Sequence, residues 1–369
     1  MFLLDSTLVM ISKSKILIFG LFVSTSFSQE VKWMSIGDLH NWYSAAGCEI
    51  ETGRTGQVSD QQDGLRYPAF YRVQDNQAAK GLWLGATNFY DPVVNKDYEY
   101  KVIHAGPRHL DIENETMPVD MTMDGKYDHP NVFVDGDPAT NLQYLDDVDN
   151  VDPSLPSDRR INNIVQTSIG VQMKRTIYAF AHPEHQNYHI QEYVFTNNGC
   201  FDTDCNTSYE QTLEGFQVYL QYRYAISREG MVYDGGWLPQ SAAWGHNTMN
   251  DVIGEYPDAP SVNDQFYDDG EVMRALFSWQ GYHSDASFDN IGGPNAPGEG
   301  HLGAAQFVGV VTLHADTSPM DNTDNINQPS TTWFITSDDP TTSGNDQYNE
   351  TKSINEYTNY MTVGHPEQS

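Results

Sequence analysis

The segment Gln217-Val218-Tyr219-Leu220-Gln221-Tyr222-Arg223-Tyr224 alternates aromatic or aliphatic with polar side chains. A period of two puts one face on a core and the other in solvent, which is a strand pattern. Runs of similar character recur at Gly81–Gly85, Tyr98–Ile103, Ile164–Ala181, Tyr188–Thr196, Phe216–Ser227, Val272–Trp279 and Gln306–His314. Gly, Pro, Asn and Asp bound them, as expected of turns. Val171–Phe180 and Tyr188–Thr196 read as a long hairpin, and Asn197-Asn198-Gly199 after it tolerates a left-handed backbone. Only Ser35–Ala46 and Ile354–Tyr360 carry a helix-like pattern. The expected fold is all-β: an antiparallel β-sandwich with long acidic and aromatic loops, as one unit or two packed ones.

The start of the chain reads as an export signal. Lys13 and Lys15 precede the apolar run Ile16–Val23, and small residues follow to Ser28. A basic region, an apolar core of roughly 7–15 residues and a small-residue exit make a secretory signal peptide. Ser26 and Ser28 stand at the −3 and −1 positions of a cut before Gln29. Met10 offers a more basic start than the acidic residues before it. A membrane span needs about 20 apolar residues, so the run is too short for one. No second long apolar segment follows, and no membrane span is expected in the mature chain.

Charge narrows the partners. The sequence has 51 acidic and 19 basic residues, a net charge of −32, which repels nucleic acid and anionic membranes. Aromatic residues at 12% supply enough burial to fold despite that charge. In an oxidising compartment Cys200 and Cys205, flanking a turn-rich stretch, are expected to pair. Cys48 is left over and reads as buried rather than catalytic.

The expected organisation is a signal peptide over 1–28, a β-rich region with acidic loops over 29–155, a main sandwich over 156–330 and a polar tail over 331–369. A boundary is placed in the loop-rich acidic stretch near 115–160. The polar ending reads as the front portion of a longer polypeptide.

Several of these segments carry a resemblance. Ile164–Gly199 (IVQTSIGVQMKRTIYAFAHPEHQNYHIQEYVFTNNG) and Gly215–Ser227 (GFQVYLQYRYAIS) resemble a group of large, mostly uncharacterised secreted proteins of Bacteroidota-like and marine bacteria. The segments beginning at Tyr67 and Val308 fit the same group. Such proteins commonly end in a C-terminal sorting domain for type IX secretion, which this sequence does not show. The resemblance covers much of 65–320 and implies strands; it carries no catalytic residues across.

Four constellations could carry chemistry. Asp135, Asp137, Asp147, Asp149 and Asp152 cluster hard oxygen ligands in loops, suited to Ca2+ or else to a solvated acidic surface. Their spacing does not match the EF-hand pattern. His182, His185 and His189 would share a helix face and could hold zinc. Pro183 and the flanking strands instead place them at a hairpin tip, where His189 begins the returning strand. Trp237, Trp244, His246 and Asn247 form an aromatic and amide loop of the kind that stacks sugars, with Trp279, Tyr282 and His283 as further members. The competing reading has these tryptophans capping the core. Last, abundant carboxylates could supply a glycosidase pair, but no spacing singles one out. There is no nucleophile elbow, P-loop or H-E-x-x-H motif.

The leading expectation is a secreted or cell-surface, non-catalytic protein for adhesion or glycan binding, with calcium as a stabiliser. Its partners would be extracellular glycans or cell-surface components. The alternatives are a secreted glycoside hydrolase or polysaccharide lyase, and a structural segment of a larger secreted protein.

Overall fold

The computed structural model describes residues 30–50, 65–69, 77–105, 115–129, 133–138, 146–224, 232–233, 236–237, 248–253, 274–280, 307–332 and 347–364. The segment 1–28, expected to be a signal peptide, lies outside them. The strands, in chain order, are β1 (Val31–Met34), β2 (Asn41–Ser44), β3 (Glu49–Ile50), β4 (Gln77–Asp91), β5 (Lys96–Ala105), β6 (Thr116–Gly125), β7 (Phe133–Val134), β8 (Asp137–Pro138), β9 (Asn150–Val151) and β10 (Arg159–Thr167). They continue with β11 (Val171–Ala179), β12 (His189–Asn197), β13 (Glu214–Tyr224), β14 (Val232–Tyr233), β15 (Gly236–Trp237), β16 (Thr248–Ile253), β17 (Arg274–Gln280), β18 (Phe307–Thr312), β19 (Asp316–Ser318) and β20 (Asp321–Asp324). Among the described residues one short helix, α1 (Glu350–Glu356), runs into a π-helical turn at Tyr357–Met361. The all-β expectation holds: the sheets are antiparallel apart from the two-residue parallel pair β6/β9.

Two sheets carry most of the structure. The first has the order β12-β11-β10-β6-β9; the second has β13-β4-β3, with β5 also on β4. The expected hairpin is present, with β11 and β12 paired from Val171↔Asn197 to Ala179↔His189. The expected single run Ile164–Ala181 is in fact two strands. Gly170, at φ +75, turns the chain between them, and its N–H donates to the Thr167 carbonyl at 3.1 Å. The acidic stretch from 115 holds a full strand, β6, paired with β10. Pairing also joins β4 to β13. Strands on either side of residue 155 thus pair with each other in both sheets.

The inward face of the first sheet is apolar at both ends. Toward one end Val165, Val171 and Met173 share a cluster with Leu82, Leu84, Phe89 and Ile103 of the second sheet. Toward the other, Met121, Met123, Ile161 and Ile177 pack on Met34 and Tyr43 of the β1/β2 ribbon. Ser35–Ala46, expected to be helical, is a turn followed by β2, all four of whose residues are buried. A helix there would expose part of that surface. The C-terminal helical pattern is correct: α1 and its extension lay Tyr357 and Met361 on Trp83 and Val102, on the second sheet's other face. Gly85 allows this approach, because a Cβ there would stand 2.8 Å from the Tyr357 ring.

Cys200 and Cys205 are joined, and buried Phe201 between them enters the core cluster. Chain-entropy arguments give a loop this short about 2 kcal/mol. The Cys200→Ser/Cys205→Ser variant should melt several degrees below the parent in a calorimetric scan. Equal melting temperatures would show that the bond contributes nothing.

Candidate functional site

A cleft of about 240 Å³ runs along β13. Gln217, Tyr219 and Tyr222 line it from β13, Arg274 and Leu276 from β17, and Thr331 from the segment after Pro329. Val218 and Leu220, on the opposite face of the strand from Gln217 and Tyr219, also border it and are 41% and 39% exposed. The rim is fixed by hydrogen bonds. Arg274 donates through Nη1 to the Asn325 and Gln328 carbonyls at 2.8 and 2.5 Å, and through Nη2 to both Asp324 oxygens. The Thr331 hydroxyl donates to the Gly364 carbonyl at 2.6 Å. The Tyr219 ring lies tilted against Trp83 at 5.1 Å between centroids, and burial pushes its hydroxyl up to about 12, so it stays a neutral donor and acceptor.

Two titratable clusters lie deeper. In the first, buried Glu49 accepts from Asn41 Nδ2 at 2.7 Å, Gln77 Nε2 at 2.8 Å, Gln191 Nε2 at 2.9 Å and Lys80 Nζ at 3.2 Å. Burial opposes its charge, but Lys80, Arg175 and the amides outweigh that and hold its carboxyl below the usual range. Next to it the Tyr43 hydroxyl contacts His189 Nδ1 at 2.8 Å, and burial lowers His189 to about 4. In the second cluster, buried His104 stands between Glu115 at 2.8 Å and Glu356 at 3.2 Å. These are the residue types of acid–base catalysis. Their exposures are 2% at His104, 4% at Glu115 and 3% at Glu356, with 2% at Glu49, so neither cluster opens to a substrate in this conformation.

The residues singled out from sequence fare differently. Trp244, His246 and Asn247 lie outside the described residues, as do Tyr282 and His283. Trp237 is in β15, paired with Val232. Asp135 and Asp137 sit in and beside the exposed turn between β7 and β8. Asp149 accepts from Lys32 Nζ at 2.8 Å and the Met123 N–H at 2.6 Å. Asp152 accepts from the Ser154 hydroxyl at 2.6 Å, and Asp147 is exposed. Among the described residues these aspartates are not gathered around one point. Cys48 is buried, and burial raises its thiol to about 11, so it is a poor nucleophile. Sequence reasoning missed Glu49, Lys80, His104, Glu115 and Glu356. The one available signal was a charged residue at an inward position of a strand, as with Lys80 just before Gly81–Gly85.

No family model, no curated protein and no solved structure matches this chain.

Proposed function

We propose that this chain is a secreted, non-catalytic β-sandwich protein that binds extracellular glycans in the cleft along β13. The two large sheets are its two layers. The observation that carries the reading is the cleft itself, lined by Tyr219, Tyr222 and Gln217, with the Thr331 hydroxyl held on its rim and exposed Val218 and Leu220 beside it. Sugar C–H groups pack on tyrosine and on aliphatic side chains, while hydroxyls take the amides. The signal-like start and the strong negative charge point to an extracellular setting and to neutral rather than polyanionic ligands. The deep clusters fit a non-catalytic role, because they are closed to solvent.

A glycan array with the wild type and Tyr222→Ala tests this. Binding by the wild type, weakened about tenfold or more in the variant, is the expected result. A wild type that binds no glycan would sink the proposal, as would equal binding by the variant. Release of cleaved products would move the assignment to a carbohydrate-active enzyme.

A further inference from the structure

The sequence His182-Pro183-Glu184-His185 at the tip of the β11–β12 hairpin forms a tight turn. Proline at the second position presets the backbone angle that such a turn needs. The turn closes with the His185 N–H donating to the His182 carbonyl at 2.8 Å. That closure brings the two imidazoles to 5.5 Å between centroids. Glu184 points to the same place: one donor atom from each of His182, Glu184 and His185 lies within 4.8 Å of the others, and all three side chains are exposed.

We propose that this turn is a binding site for a late first-row divalent cation, with zinc as the representative ion. It does not depend on the glycan reading. Two imidazoles and one carboxylate are a borderline-soft donor set. Calcium instead takes six to eight oxygens. Around zinc, bonds of about 2.0–2.1 Å set tetrahedral donors about 3.3 Å apart. The turn is thus within about 1.5 Å of closing, a distance that rotation of exposed side chains supplies.

The surroundings hold the ligands in place. His185 Nδ1 is bonded to the Tyr188 hydroxyl at 2.6 Å, which orients the ring and leaves Nε2 for the metal. Metal-binding histidines are commonly fixed through the other nitrogen in this way. His182 Nδ1 accepts only a long contact, 3.2 Å, from the Glu184 N–H, and gives it up when the ring turns to the ion. The turn is anchored from outside: the Asp38 N–H donates to the Gln186 carbonyl at 2.7 Å, and Gln186 Nε2 donates to Asp38 at 3.0 Å. Gly37 permits that seat, because a Cβ there would stand 2.4 Å from the Gln186 carbonyl. His189, the third histidine of the segment, is not a ligand; it is turned inward onto Tyr43. Three protein ligands leave the remaining positions to water.

Zinc chloride titrated calorimetrically into the full chain should bind one ion per chain, and excess calcium should not displace it. The His182→Gln/His185→Gln variant should bind at least about tenfold more weakly. Its circular dichroism and zinc-free melting should match the parent, since both side chains are exposed and the turn's backbone bond remains. No zinc uptake by the wild type would overturn the proposal. So would uptake that the double variant keeps, or uptake that calcium abolishes, since either places the ion on other carboxylates.

Discussion

Replacing Arg175 by methionine should cost about 3–5 kcal/mol of folding stability, the scale of an uncompensated break in a buried polar network. Arg175 has no exposed surface. Its guanidinium donates to the carbonyls of Ser44 at 2.7 Å, Gly47 at 3.0 Å and Cys48 at 3.3 Å, and to Asn163 Oδ1 at 3.1 Å. It therefore ties the turn after β2 to the middle of the first sheet, between that sheet's two apolar clusters. Methionine fills the volume of the stem but supplies no donor. The Ser44 and Cys48 carbonyls keep backbone donors, Gly47 N–H and Ser44 N–H, each at 3.0 Å. The Gly47 carbonyl and Asn163 Oδ1 lose the donor that reaches them, at about 1–3 kcal/mol for each buried group left unmade.

The same substitution removes a positive charge that helps keep Glu49 ionised. The carboxyl of Glu49 is held below its ordinary value, so its contribution is present above that value and lost as pH falls through the folded one. The variant should thus be less stable than the parent at neutral pH and lose less further stability on acidification, because the folded pKa of Glu49 moves back toward the unfolded one. Lysine should rescue only in part, because one ammonium cannot reproduce a planar fork aimed at several carbonyls. Urea denaturation at neutral and acid pH measures both effects. A methionine variant within about 1 kcal/mol of the parent would show that these bonds are dispensable.

Arg175 also marks how far the sequence could be read. In Val171–Ala179 the alternation placed Val171, Met173, Ile177 and Ala179 on one face, and Arg175 falls on that face. An inward arginine was therefore legible, but not what it would bind, since its partners come from residues 44–48 through a turn that the pattern did not show. Strand β6 was hidden for a different reason. Its buried residues Met121 and Met123 alternate with Asp120, Thr122 and Asp124, and surrounding acidic residues made the whole stretch look like loop. The cleft was least visible. It is built from β13, β17 and a rim that Arg274 holds from more than fifty residues away in sequence, and no local spacing encodes such an assembly. The hairpin tip was seen as a set of histidines. Which two converge depended on the turn that Pro183 sets.

Stability should fall as pH rises from about 7 to 10, and the Glu356→Gln variant should lose much of that dependence. His104 is the cause. Burial alone would lower its pKa, but the charges of Glu115 and Glu356 outweigh burial and push it up to about 9. A histidine raised in the folded state contributes stability that is fully present below its unfolded value, about 6.5, and is lost as pH climbs through the folded value. The separation between those values corresponds to about 3 kcal/mol. The geometry says where the loss acts. Glu115 also accepts the His104 backbone N–H at 2.6 Å, so it stays with β5. Glu356 belongs to α1, so the charged contact fastens the C-terminal helix to the second sheet. Deprotonation of His104 leaves two buried carboxylates facing a neutral ring, and the helix, with Tyr357 and Met361, is the part free to move away. Glutamine at 356 keeps the shape and removes one of the two charges. His104 then titrates at lower pH, and the alkaline fall becomes smaller and ends earlier. Lysines and tyrosines also titrate toward pH 10, among them Tyr357, which burial raises, but they are common to both proteins. The difference between the two curves therefore isolates His104. Parallel curves from pH 7 to 10 would mean that the imidazolium does not hold the helix, and that the apolar contact of Tyr357 and Met361 with Trp83 is enough.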